Sequence, residues 1–204
     1  MLHARSLLAA GIFFFSLPAA TFADSTAPDA KALITDKVIE TARGWLANPI
    51  VGLSVNSQNK RRGALKAEDI EALDQKWRTE REMDDKPLIS ATLSAPLSIY
   101  LLRIQSEGIG LYRELFVMDA NGLNVGQSAI TGDYWQGDEA KFQKTFPEGK
   151  GAIFIDEAEW DEEFGIWKAQ LNLTLSDETS GEPIGSATIE FNLTELQRRQ
   201  GLSS

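Results

Sequence analysis

Apolar residues follow one rhythm through the first half of the chain and another through the second. Between positions 29 and 47 they fall at Leu33, Ile34, Val38, Ile39, Ala42, Trp45 and Leu46, a spacing near 3.6 residues that predicts one long amphipathic helix. Asn48-Pro49 interrupts it, and residues 50–62 resume a helix in another direction. Ile70, Leu73 and Trp77 share one face of a third helix over 66–83, closed by Asp84 to Pro87. Residues 88–107 read as a further helix, with Pro96 near a helix start, where its missing N–H costs little.

From Leu111 the period falls to two. Trp167, Ala169, Leu171, Leu173 and Leu175 alternate with Lys168, Gln170, Asn172 and Thr174. Gly185, Ala187, Ile189, Phe191 and Leu193 alternate with Ser186, Thr188, Glu190 and Asn192. Each run predicts a strand with one buried and one wet face. The turn-forming residues of 176–183 between them predict an antiparallel hairpin. Leu115 to Met118, Asn124 to Ala129 and Gly151 to Ile155 supply three more strands. Helices followed by a five-stranded antiparallel sheet make an α+β domain.

The N-terminus predicts export. Arg5 precedes an apolar run from Leu7 to Leu17, Pro18 breaks it, and Thr21-Phe22-Ala23 sets small residues at −3 and −1 of a cleavage site. Eleven apolar residues fall short of the ~20 that span a bilayer. Residues 1–23 thus read as a signal peptide and 24–204 as the mature domain, in the periplasm or secreted, with no later membrane span.

Composition then narrows the chemistry. The chain has no Cys, and its single His is His3, within the signal. The mature protein therefore lacks the residues for Ser-His-Asp or Cys-His catalysis and for the usual zinc and copper sites. The net charge of −10 argues against nucleic acid, which needs a basic face to replace counterions. Lys60, Arg61 and Arg62 form the one basic cluster, read as a solvated helix end or as an anion or partner contact. Asp119-Ala120-Asn121-Gly122 begins like a calcium loop, but position 130 is Ile where the loop's Glu would stand, so it reads as a tight turn. The expectation is no catalytic residues, no metal and no cofactor.

Several segments together carry a resemblance. Residues 114–122 (ELFVMDANG), 131–139 (TGDYWQGDE) and 142–146 (FQKTF) resemble the core of Cache sensor domains, the PAS-like extracellular domains also called PDC domains. Trp45 to Val51, Phe154 to Glu157, Gly165 to Leu175 and Pro183 to Gly185 fit the same order, over about 36–196. The resemblance implies a PAS-like five-stranded sheet behind long N-terminal helices, small-molecule binding outside the cytoplasm, and dimerisation through those helices. Such sensors generally sit between two membrane spans. This chain runs to Ser204 without a second span, which leads to the expectation of a freestanding domain that passes ligand occupancy to a membrane sensor protein.

Amino-acid-binding relatives carry an Arg near the short helix that forks onto the ligand carboxylate. Glu139 stands nearest that position here. Asp133, Asp138 and Glu139 interleave instead with Tyr134, Trp135 and Phe142, and Asp161 lies in a second acidic run, 156–163, around Trp160. Carboxylates beside aromatic faces suit a cationic ligand. These seven residues are the candidate ligand site. The acidic run reads equally as a solvated turn, and Tyr134 or Trp135 equally as a core plug. Two alternatives stand beside the sensor: an interaction module that has lost its pocket, and a hydrolase using carboxylates alone.

Overall fold

The computed structural model describes residues 26–201, so the signal peptide expected over residues 1–23 lies outside the described residues. Helices come first: α1 (Ala30–Leu33), α2 (Asp36–Leu46), α3 (Pro49–Arg62), α4 (Ala67–Arg81), α5 (Pro87–Leu93) and α6 (Pro96–Glu107). Strands β1 (Tyr112–Asp119) and β2 (Asn124–Gln127) follow, then the short helix α7 (Ala140–Gln143) and a 3-10 turn (Phe146–Glu148). Strands β3 (Ile153–Ile155), β4 (Glu159–Asp161), β5 (Ile166–Ser176) and β6 (Pro183–Asn192) precede helix α8 (Leu193–Arg199).

Local chemistry sets most boundaries. Asn48 Oδ1 accepts from Ile50 N at 3.1 Å with Pro49 at the first helical position, so α3 restarts where α2 stops. Pro87 and Pro96 open α5 and α6 in the same way, and the predicted helix over 88–107 is therefore two, bent by 65°. Glu80 of α4 accepts from Leu88 N (2.7 Å) and Ile89 N (3.0 Å), supplying α5 with the cap its own residues lack. The long helix expected over 29–47 also divides, at Ile34 and Thr35. That break turns α1 toward α8, where Gln200 Nε2 donates to Leu33 O at 2.9 Å. Leu193, expected at the end of the last strand, instead begins α8. Asn192 caps it, its Oδ1 accepting from Glu195 N at 3.0 Å.

The strands form one antiparallel sheet in the order β2-β1-β6-β5-β3, with β4 pairing β5 beyond the end of β3. Five strands thus make the expected antiparallel sheet, and the sixth is a three-residue addition within the acidic run. One face is apolar. Leu115 and Val117 of β1, Ala187, Ile189 and Phe191 of β6, and Leu171 and Leu173 of β5 pack against Ile39, Val51, Val55, Leu97 and Leu101 of the helices. Each such side chain contributes about 1.5–3 kcal/mol by leaving water. A second apolar cluster, Trp77, Ile89, Leu123 and Tyr134, joins α4 and α5 to the loop after β2. Among the described residues no single helix is long and apolar enough to cross a membrane.

Candidate functional site

The opposite face of the sheet is the polar one, and its middle is not wet. Register places Gln127, Phe116, Thr188, Asn172 and Phe154 side by side across β2, β1, β6, β5 and β3. On one side of this row lie Asn124, Met118, Ser186 and Thr174, and on the other Glu114, Glu190 and Gln170. Asn124, Asn172 and Ser186 are fully buried, and Thr188 and Gln127 are 1% exposed. The alternation expected to turn these side chains to solvent is preserved; a cover over the face keeps the solvent away.

That cover is the segment between β2 and β3. Phe142 of α7 and Phe146 stack at 5.1 Å and pack on Phe116 and Met118, forming an apolar lid over the middle of the face. Lys141 lies 5.3 Å from the Phe116 ring and 3.0 Å from Glu139 Oε2, and donates to Gln136 Oε1 at 3.2 Å. Thr131 and Asp133 tie the loop to β2, with Asn124 Nδ2 donating to Thr131 Oγ1 at 3.0 Å and Thr131 Oγ1 to Asp133 O at 2.6 Å.

Some polar groups on this face are paired. Thr188 Oγ1 donates to Asn172 Oδ1 at 2.7 Å, and Asn172 Nδ2 donates to Phe154 O at 3.2 Å. Others are not: Asn124 Oδ1, Gln127 Nε2, Glu114 Oε1, Gln170 Oε1 and Thr174 Oγ1 are buried with no hydrogen-bond partner. Each such group costs about 1–3 kcal/mol if nothing satisfies it, so a concentration of them on one covered face points to a ligand or ordered water. Burial, with Glu190 beside it, pushes the Glu114 carboxyl up to about 7 against the pull of Lys141, Lys168 and Arg113.

The seven sequence-selected residues divide around this face. Phe142 is in the lid, and Glu139 holds Lys141 at its edge. Tyr134 is buried against Trp77, ring centroids 5.1 Å apart, and its hydroxyl accepts from Arg62 at 3.0 Å. It fills the space between the loop and α4 as a core plug. Trp135 is half-buried beside it, its Nε1 donating to Asn121 O at 2.9 Å. Asp133 is paired with Arg78 at 3.2 Å, and Asp138 is exposed. Asp161 stands apart on β4, 4.0 Å from Lys168, with its Oδ1 accepting from Phe164 N.

Asp74, which the sequence did not single out, organises the loop. Its buried carboxylate accepts from Tyr134 N (2.8 Å), Trp135 N (3.0 Å) and Arg78 Nε (2.7 Å). Arg62, from the basic cluster, is spent on Tyr134, and Arg61 donates to Ser57. The supposed calcium loop is a turn. Asp119 Oδ1 accepts from Asn121 N and Leu123 N, its Oδ2 accepts from Gln58, and only Gly122 takes positive φ. One signal for the polar face was available: Asn172, Thr174, Ser186 and Thr188 are small and uncharged, whereas solvated strand faces favour charge.

No family model and no curated protein matches this sequence. Solved structures similar to it include bacterial chemoreceptor domains. The ligand-binding domain of the Pseudomonas aeruginosa PAO1 amino acid chemoreceptor PctC, in complex with GABA, is 15% identical over 71% of this chain and 61% of its own, with a TM-score of 0.34. The sensory domain of Campylobacter jejuni Tlp3 is 11% identical over 79% and 64%, TM-score 0.40. The Pseudomonas fluorescens CtaA domain, in complex with L-alanine, is 10% identical over 72% and 58%, TM-score 0.37. These are likenesses of fold. The chain spans less than two thirds of each of these domains, and the functional argument rests on its own residues.

Proposed function

We propose that the covered polar face binds a small molecule and that the protein is an exported, non-catalytic sensor domain whose occupancy is read by a membrane signalling protein. One observation carries this reading: five buried, unpaired polar atoms lie on the same face of the sheet as a small lid of two stacked phenylalanines. A ligand there would meet both donors and acceptors, and α7 with its flanking loop is the element positioned to respond. Phe142 and Glu139 belong to this site as lid and edge. Asp133, Tyr134 and Trp135 fix the loop that carries the lid, Asp138 is its exposed rim, and Asp161 is peripheral.

The filled space behind Tyr134 favours a second reading, an interaction module without a pocket. A thermal-shift screen of residues 24–204 with amines, amino acids, organic acids, sugars and divalent ions separates the two, since a compound that binds only the folded state raises its melting temperature. The sensor reading expects one chemical class to raise Tm and Gln127→Met to diminish the rise. No shift from any class favours the interaction module.

A further inference from the structure

The ligand's chemistry is narrowed at the Glu114 end of the polar face, and the inference rests on that face being the binding site. Glu114 of β1 and Glu190 of β6 are direct cross-strand partners, so their side chains leave the sheet next to each other, with Cβ atoms ~5 Å apart. Gln170 is the partner of Glu190 on β5 and donates Nε2 to Glu190 Oε2 at 3.1 Å. Its own Oε1 is left unpaired, as is Oε1 of Glu114. Two buried acceptors flanking a carboxylate require N–H or O–H donors from elsewhere.

The neighbouring cations leave Glu114 itself without an ion pair. Lys168 on β5 is 3.9 Å from Glu190 and is shared with Glu159 and Asp161 at 3.9 and 4.0 Å. Lys141 on α7 is paired with Glu139, and Arg113, next to Glu114 on β1, lies 3.7 Å over the Phe164 ring with its buried Nε unpaired. Among the described residues none of them comes within ion-pair distance of Glu114, and no group of three His, Asp or Glu is placed to hold a metal. Two adjacent carboxylates in a covered site resist double ionisation, and Lys168, shared among three carboxylates, reaches only Glu190 of the two.

We propose that Glu114, Glu190 and Gln170 form an ammonium subsite, in which the carboxyl pair holds one proton while the face is empty and releases it to solvent when the protonated amine of an organic ligand takes its place. The exchange balances: one proton leaves for each R–NH3+ bound, and no covalent bond to carbon changes. Because proton and ammonium compete, binding strengthens as pH rises through neutrality. The amine itself stays charged until about pH 10.

The test is a set of thermal-shift titrations of the mature protein with methylamine, ethanolamine, putrescine and cadaverine at pH 6 and pH 8, with acetate, succinate and glucose alongside. The expected result is a Tm increase from at least one amine, with apparent affinity about tenfold tighter at pH 8 than at pH 6. Glu114→Gln and Glu190→Gln, each near-isosteric and checked for folding by circular dichroism, should weaken the amine at least tenfold and flatten its pH dependence. Amines inert while an acid or sugar raises Tm would overturn the ammonium subsite and leave the binding face standing. Equal amine affinity at both pH values, or unchanged affinity in both variants, would overturn it as well. No shift from any compound would remove both.

Discussion

The two faces of one sheet use the same strands for opposite ends. On the helix side, alternate residues of β1, β5 and β6 are Leu, Val, Ile, Ala and Phe, and all pack on helix side chains. On the other side, the residues between them are mostly Asn, Thr, Ser, Gln and Glu, with Phe116, Met118 and Lys168 among them, and the middle of that face is equally dry under α7 and its flanking loop. The first arrangement gains free energy from every residue it buries. The second loses some, because several of its polar atoms are left without partners. A fold tolerates such a loss where another molecule removes it, so under the proposed function the contrast separates the part that stabilises the domain from the part proposed to bind a ligand.

Substitutions can test that contrast. The largest effect is expected on the helix side: Leu171→Ala, at a fully buried position, should destabilise by about 2–5 kcal/mol in urea unfolding, while any ligand shift persists. Next comes the tether of the cover. Asp74→Ala strands the Tyr134 and Trp135 amides and should cost about 3 kcal/mol. Hydrogen exchange should rise over residues 131–146 before it rises in the helices, and a uniform rise would mean the cover is not a separate unit.

Glu114 supplies a prediction in pH. Its folded carboxyl titrates near 7 against an ordinary 4.5. Between those values the folded state holds more protons than the unfolded chain, so stability falls as pH rises. The cost of burying the charge is absent below about pH 4.5 and complete above about pH 7, and amounts to at most ~3 kcal/mol. Urea unfolding at pH 5 and pH 8 should show this fall in the unmodified protein and a smaller one in Glu114→Gln. Equal slopes would return Glu114 to ordinary surface behaviour.

The smallest effect should come from Gln127→Met, which removes an unpaired Nε2 at a buried position. Its stability should change by less than about 1 kcal/mol, in either direction, while a ligand-induced shift shrinks. A large loss of stability would mean that water already satisfies this group and that the polar face is structural.

Much of the architecture was legible. The 3.6-residue rhythm located α2 and α4, Asn48-Pro49 marked a true restart at α3, and the alternation in 167–175 and 185–192 gave the central hairpin. The misses were local events that long patterns conceal. The break after Leu33 interrupts an unbroken apolar rhythm. Helix α8 was announced only by Asn192 and Glu195, a cap and its third residue, at the end of a run already read as strand. Of the candidate site, the loop 133–142 was found, but its residues serve chiefly to hold and form a cover; Asp74, Glu114, Gln127 and Glu190 were not found. They belong to four separate elements, and nothing in their spacing along the chain brings them together.

What the sequence determined by itself was direction: the period of two decides which side of the sheet each residue of β5 and β6 leaves from, because successive side chains on a strand point to opposite faces. What only the tertiary structure decided was the solvent. Whether Asn172, Thr188 and Glu190 meet water depends on a segment that lies between β2 and β3, closed over them by Phe142 and Phe146 and tied to α4 through Asp74. Burial is a property of what lies above a face, and that is set by long-range packing rather than by the alternation of the strand beneath.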